Sequence, residues 1–142
     1  MNNQYSMYDS GHGGQPVELV IFDCDGVLID SEVISLSVIR EMLQAFGIDI
    51  DEGYFTREFL GRSFSRVKDA AKRDFNVVLP DTFEHQYLQL LLSRFDTHLQ
   101  PLEGIESIIS ELNIPYCVAT SSHRERTNRA LNATGLLTYF KD

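Results

Sequence analysis

Basic residues, cysteine and long apolar runs are all scarce in this chain. Its 142 residues hold 12 Lys and Arg against 21 Asp and Glu, a formal net charge of −9. So acidic a surface disfavours nucleic acid and anionic membranes as partners. No apolar stretch approaches the length of a membrane-spanning helix. The opening segment, residues 1–15, lacks the basic start and apolar centre of a secretion signal. Its Asn, Ser, Tyr and Gly content predicts a disordered tail. Two cysteines, Cys24 and Cys117, make no disulfide framework, so a reducing cytoplasm is the expected compartment. Internal repeats and low-complexity tracts are absent as well. What is left is the composition of an ordinary globular protein, long enough for one modest domain or a domain with a small insert.

The most informative stretch that is present runs from Glu18 to Glu32. Leu19-Val20-Ile21-Phe22 ends abruptly on Asp23-Cys24-Asp25-Gly26. A short apolar run bounded by Asp and Gly predicts a buried strand feeding a tight loop. In open α/β sheets, ligands bind outside the carboxyl ends of strands, which places Asp23 and Asp25 where chemistry occurs. Two carboxylates one residue apart repel each other, so a cation is expected to join them. A lone Asp-x-Asp is ordinarily a solvated turn or a helix cap. Cys24, between two carboxylates, is not a nucleophile, because negative charge disfavours its thiolate.

The periodicity after Asp30 is helical. Val33, Leu36, Ile39, Leu43 and Phe46 recur on one expected inward face, and Gly47 ends it. Further helices are expected from about Asp51 to Leu60, from Ser63 to Phe75, and from Asp81 to about His98. Asp81 and Glu84 have capping-box spacing at the start of the last of these. Its buried side is expected to carry Phe83, Tyr87, Leu90, Leu91 and Phe95. Four consecutive helices predict a small bundle. Gln100-Pro101-Leu102-Glu103-Gly104 reads as a hinge back to the first unit. Ile105 to Leu112 follows as a helix with Ile105, Ile108, Ile109 and Leu112 inward. Tyr116 to Ala119 is a second short strand, in which Cys117 is expected to be a small core residue. A last helix spans about Ser122 to Thr134, stopped by Gly135.

The run from Glu18 to Glu32, with Asp23-x-Asp25-Gly26-Val27-Leu28-Ile29-Asp30-Ser31-Glu32 at its centre, resembles the first motif of the haloacid dehalogenase-like hydrolases. The likeness is to the subfamily of β-phosphoglucomutase and phosphoglycolate phosphatase. It covers about Pro16 to Phe140 and includes Pro101 and Gly104 in the return segment. The fold it implies is α/β: a partial Rossmann-like parallel-sheet core, residues 16–30 and 99–142, with an inserted four-helix cap, residues 31–98. The activity it implies is Mg²⁺-dependent hydrolysis of a small phosphate monoester, sugar-phosphate-like, through an aspartyl-phosphate. A phosphomutase is the alternative within the family, and a non-catalytic truncated binding module the alternative outside it.

Residue by residue, the resemblance makes Asp23 the nucleophile and Asp25 the acid/base, and makes both contributors to the metal site. The N–H groups of Cys24 and Asp25 are expected to point at phosphate, and Gly26 to allow its close approach. Thr120 and Ser121 hold another phosphate oxygen by the same resemblance, although Thr-Ser-Ser before a helix is also an ordinary N-cap. Ser122 and Arg124 match positions that touch distal substrate groups, or else form an exposed first helical turn. Arg62 is either a grip for a second phosphate or carboxylate, or a surface helix-terminus arginine. Asp30 and Glu32 are expected to cap the following helix.

Two further motifs of the family, a lysine and an acidic metal-holding pair, have no match in residues 1–142. This segment alone is therefore expected to lack full catalytic power. It is also expected to leave an apolar sheet edge open to self-association.

Overall fold

A computed structural model describes residues 16–140, so the tail expected over residues 1–15 lies outside the described residues. The first apolar run forms β1 (Val20–Phe22), and the second forms β2 (Tyr116–Val118). They pair in parallel, with Val20 opposite Tyr116, Ile21 opposite Cys117 and Phe22 opposite Val118. Between them lie α1 (Ser31–Gln44), α2 (Glu52–Glu58), α3 (Phe64–Phe75), α4 (Phe83–His98) and α5 (Ile105–Glu111). After β2 come α6 (Arg124–Ala133) and a 3-10 turn, Leu136–Tyr139. The result is mostly helical around a two-stranded parallel sheet, the partial α/β fold expected.

Two apolar clusters organise the packing. One joins Phe22, Leu28 and Ile29 to Leu91 and Phe95 of α4 and Leu131 of α6. The other lies at the distal end of the helices, where Leu43, Phe55, Val67 and Phe83 meet. α1 and α4 contribute to both clusters and so carry one continuous scaffold from the sheet to the far helices.

Local chemistry explains where the helices begin and end. Asp51 caps α2, its Oδ1 accepting the Tyr54 N–H at 2.7 Å. Asn76 ends α3 in the left-handed region, φ 56°, a conformation Asn tolerates better than most residues. The capping box expected at Asp81 and Glu84 does not form. The Phe83 N–H bonds back to the Pro80 carbonyl, so the chain turns through Asp81 and α4 is entered from Thr82. The Asp81 carboxylate instead accepts from Lys68 Nζ at 3.1 Å. Asp30 does stand at the N-cap of α1, yet its side chain makes no capping bond. α6 begins at Arg124, two residues later than expected, with His123 at its N-cap.

Several side chains expected inward face out. Val33 is 65% exposed and Phe46, beyond the end of α1, 38%; α1 buries Ile39 and Leu43 as expected, but with Ser31, Ser35 and Val38 beside them. Ile108 is 54% exposed on α5. Cys117, expected in the core, is exposed, and so is its strand neighbour Ile21. The reason is alternation: side chains on a strand point to opposite faces. Val20, Phe22, Tyr116 and Val118 pack against the first cluster, and no described residue buries the other face.

Candidate active site

The end of β1 turns through one compact loop. The Cys24 carbonyl accepts the N–H groups of Val27, Leu28 and Ile29, and Gly26 N–H bonds to the Ile29 carbonyl at 2.9 Å. Gly26 has φ 73°, a conformation open to glycine at little cost. The loop is then clipped to the return segment: Asp30 N–H donates to the Gln100 carbonyl, and Leu102 N–H to that of Leu28, each at 3.0 Å. The chain therefore leaves for the four helices and returns from them at one paired point. Ala119 N–H bonds to the Phe22 carbonyl at 2.8 Å. That contact sets Asp23–Asp25 and Thr120–Ser122 side by side at the carboxyl ends of the two strands.

Asp23 is exposed, and its Oδ1 accepts the Cys24 N–H at 2.7 Å. That N–H, expected to point at a phosphate, is thus engaged by the nearest carboxylate. Cys24 itself is buried, and burial first, then the charge of Asp25, push its thiol up to about 12; Arg126 pulls the other way and Asp23 adds a smaller push. A raised thiol carries little thiolate near neutral pH.

Asp25 is the better held of the two acids. Ser31 Oγ donates to its Oδ1 at 2.6 Å and Ser122 Oγ to its Oδ2 at 2.8 Å. Arg126 Nη2 donates to Oδ1 at 2.9 Å, and Arg126 Nη1 donates to Ser122 Oγ at 3.1 Å. The guanidinium also lies over the Phe95 ring, 5.7 Å from its centroid. Arg126 is therefore the cation paired with Asp25, while no described cation forms an ion pair with Asp23.

Neither Ser31 nor Arg126 stands out in the sequence. Ser31 reads as a helix start, and Arg126 as one more helical arginine. The available signal is spacing: a helix starting at about Ser122, as the sequence predicts, would put Arg126 four residues on and on the same face.

The other candidates sit as follows. Thr120 Oγ1 accepts the Ser122 N–H at 3.1 Å, so its hydroxyl closes a local turn. Ser121 is exposed. The Ser122 hydroxyl, expected to reach toward a distal substrate group, bonds to Asp25 instead. Arg124 lines, with Thr120 and Ser122, a groove of about 730 Å³ along β2 and α6. Arg62 lies exposed in the α2–α3 loop after Gly61, with no side-chain hydrogen bond or ion pair to any described residue. The Glu32 carboxylate stands over Gly26, where an added Cβ would come 2.9 Å from its Oε1.

A metal has few partners in this arrangement. Among the described residues no group of three or more His, Cys, Asp or Glu side chains is placed to hold one. Mg²⁺ prefers near-octahedral oxygen ligation. Asp23 offers one exposed carboxylate, and the Asp25 carboxylate already has three donors. These residues do not make a Mg²⁺ site by themselves.

The family model for haloacid dehalogenase-like hydrolases matches residues 20–142. The chain belongs to that family. Within it, the 6-phosphogluconate phosphatase of Escherichia coli (strain K12) is 32% identical over 127 residues, which cover 89% of this chain and 58% of that protein. A haloacid dehalogenase-like protein of unknown function from Agrobacterium tumefaciens str. C58 superposes with a TM-score of 0.78 at 28% identity, over 88% of this chain and 56% of that one. A family hydrolase from Deinococcus radiodurans R1, solved with bound phosphate and sodium, gives 0.73 at 25% identity, over 87% and 55%. The chain thus spans little more than half the length of these relatives. Among its described residues, no helix is long and apolar enough to cross a membrane.

Proposed function

We propose that this chain is the nucleophile-bearing part of a phosphatase acting on small phosphate monoesters of sugar or sugar-acid type. The observation that carries the reading is the placement of Asp23 and Asp25 at the end of β1, beside Thr120 at the end of β2. In this reading residues 31–98 form the cap. The similarity to a 6-phosphogluconate phosphatase supports a substrate with a carboxylate at its far end. Arg62 and Arg124 are the exposed cations we assign to such groups, since a guanidinium fork suits carboxylate and phosphate oxygens. A reducing cytoplasm fits the free thiols of Cys24 and Cys117.

The chemistry we assign proceeds in two steps. An Asp23 carboxylate oxygen attacks phosphorus in line, and the bond from phosphorus to the ester oxygen breaks. Asp25 gives its proton to the departing oxygen, releasing the alcohol and leaving an aspartyl-phosphate. Asp25 then takes a proton from water, whose oxygen attacks phosphorus. Inorganic phosphate leaves and the Asp23 carboxylate is regenerated. Thr120 Oγ1 and the Ser121 N–H support phosphate oxygens near the start of α6. Magnesium is the cofactor the family implies, and the described residues do not complete its coordination.

The test is phosphate release from a panel of sugar and sugar-acid phosphates by the product of the full open reading frame. Turnover with release of inorganic phosphate supports the reading. Isomerisation of a hexose 1-phosphate without phosphate release replaces it with the mutase reading. Inertness toward every ester leaves the non-catalytic reading.

A further inference from the structure

We infer that Arg126 is the positioning residue for Asp25: it fixes the carboxylate in one orientation and keeps one oxygen site free for proton transfer. The inference rests on the acid/base role proposed for Asp25, and its grounds are geometric. A carboxylate has about four lone-pair sites on two oxygens. Ser31 and Arg126 both donate to Oδ1, and Ser122 donates to Oδ2. Oδ1 is thereby saturated, and the remaining site on Oδ2 is where a proton can reside or a leaving oxygen can approach.

Arg126 acts twice in this arrangement. Its Nη2 holds Oδ1, and its Nη1 donates to Ser122 Oγ. A serine hydroxyl has one proton, so a Ser122 that accepts from Arg126 directs that proton at Oδ2. The guanidinium is steadied in turn by the Phe95 ring of α4, a fully buried side chain. Asp25 and Arg126 keep 28% and 24% side-chain exposure, which leaves the pair screened from bulk water but reachable from the strand ends. No other described cation forms an ion pair with Asp25.

The test compares two esters in the product of the full open reading frame, wild type against R126Q. An alkyl ester, 6-phosphogluconate, needs a proton on its leaving oxygen, whereas p-nitrophenyl phosphate releases a stable phenolate and needs none. General acid catalysis contributes about 10²- to 10⁴-fold. A misaligned acid should therefore lower kcat/KM for 6-phosphogluconate at least about tenfold more than for p-nitrophenyl phosphate, through kcat and with KM little changed. S122A should move the ratio the same way. R126K, which keeps the charge but not the fork, is read alongside in case R126Q folds poorly.

Equal loss on both esters, or a change confined to KM, overturns the positioning role while wild-type turnover upholds the phosphatase reading. A wild-type protein inert toward both these esters and every member of the sugar and sugar-acid panel overturns that reading, and this inference with it.

Discussion

Asp25 and Arg126 stand 101 residues apart in the chain, yet their side chains meet at 2.9 Å. One comes from the loop after β1 and the other from the first turn of α6. The pair therefore locks the two strand ends together as well as orienting a carboxylate. Ser31 belongs to the same lock. It is 1% exposed, and its Oγ lies 2.6 Å from Asp25 Oδ1. Ser31→Ala should cost about 1.5–3 kcal/mol, the range for a hydrogen bond to a charged group. Urea unfolding should show a lower midpoint at unchanged slope. An unmoved midpoint means that Ser31 does not support Asp25.

Gly26 offers a second test. At φ 73° an L side chain is strained, and a Cβ would meet Glu32 Oε1 at 2.9 Å. The left-handed conformation costs about 1–2 kcal/mol for most residues. Gly26→Ala should destabilise by that amount, and adding Glu32→Ala should recover only the smaller, contact part. The carboxylate is the far end of a flexible side chain and can move, whereas the backbone cannot. Full recovery in the double variant would place the whole penalty in the contact.

Much of this architecture is legible in the residues. The step from Phe22 to Asp23 marks the strand end, and Asp51, Ser63, Gly104 and Gly135 mark helix limits close to those observed. Periodicity also finds α4 and its buried Phe83, Leu91 and Phe95. It misjudges α1, where Ser31 and Ser35 are buried while Val33 is exposed. Apolar pattern cannot register a serine that is buried to bond a carboxylate. The same blindness hides Arg126, whose partner is distant in sequence. Cys117 and Ile21 read as core because they are apolar, yet they point to the uncovered face of a two-stranded sheet.

The two thiols should differ in reactivity. Cys117 is exposed, while Cys24 is 1% exposed and its thiol is raised from 9.0 to about 12. A thiol-specific reagent at pH 8 should label one cysteine in the native protein and both after denaturation. The raised value also fixes a pH dependence. Above about 9 the unfolded chain loses a proton that the folded chain keeps, so folding binds protons there. Stability is fully present below that pH and falls as pH rises toward 12. Between pH 8 and 10 the melting temperature of wild type should fall more than that of Cys24→Ala. Parallel falls would remove Cys24 as the cause.

The uncovered sheet face predicts association of this segment. Ile21 is 60% exposed there, and an exposed apolar patch favours burial against another chain. Light scattering on the 142-residue chain should report oligomers that Ile21→Lys reduces without lowering the melting temperature. A wild-type monomer at all concentrations would count against this expectation.

The central claim is that Asp23 carries the phosphoryl group. Its most direct measurement is mass spectrometry of the full open reading frame product, quenched in acid during turnover of a sugar-acid phosphate. The account predicts a phosphoryl adduct on the peptide containing Asp23, with both adduct and phosphate release lost in Asp23→Asn. Sustained phosphate release by Asp23→Asn, or an adduct on another residue, would contradict it.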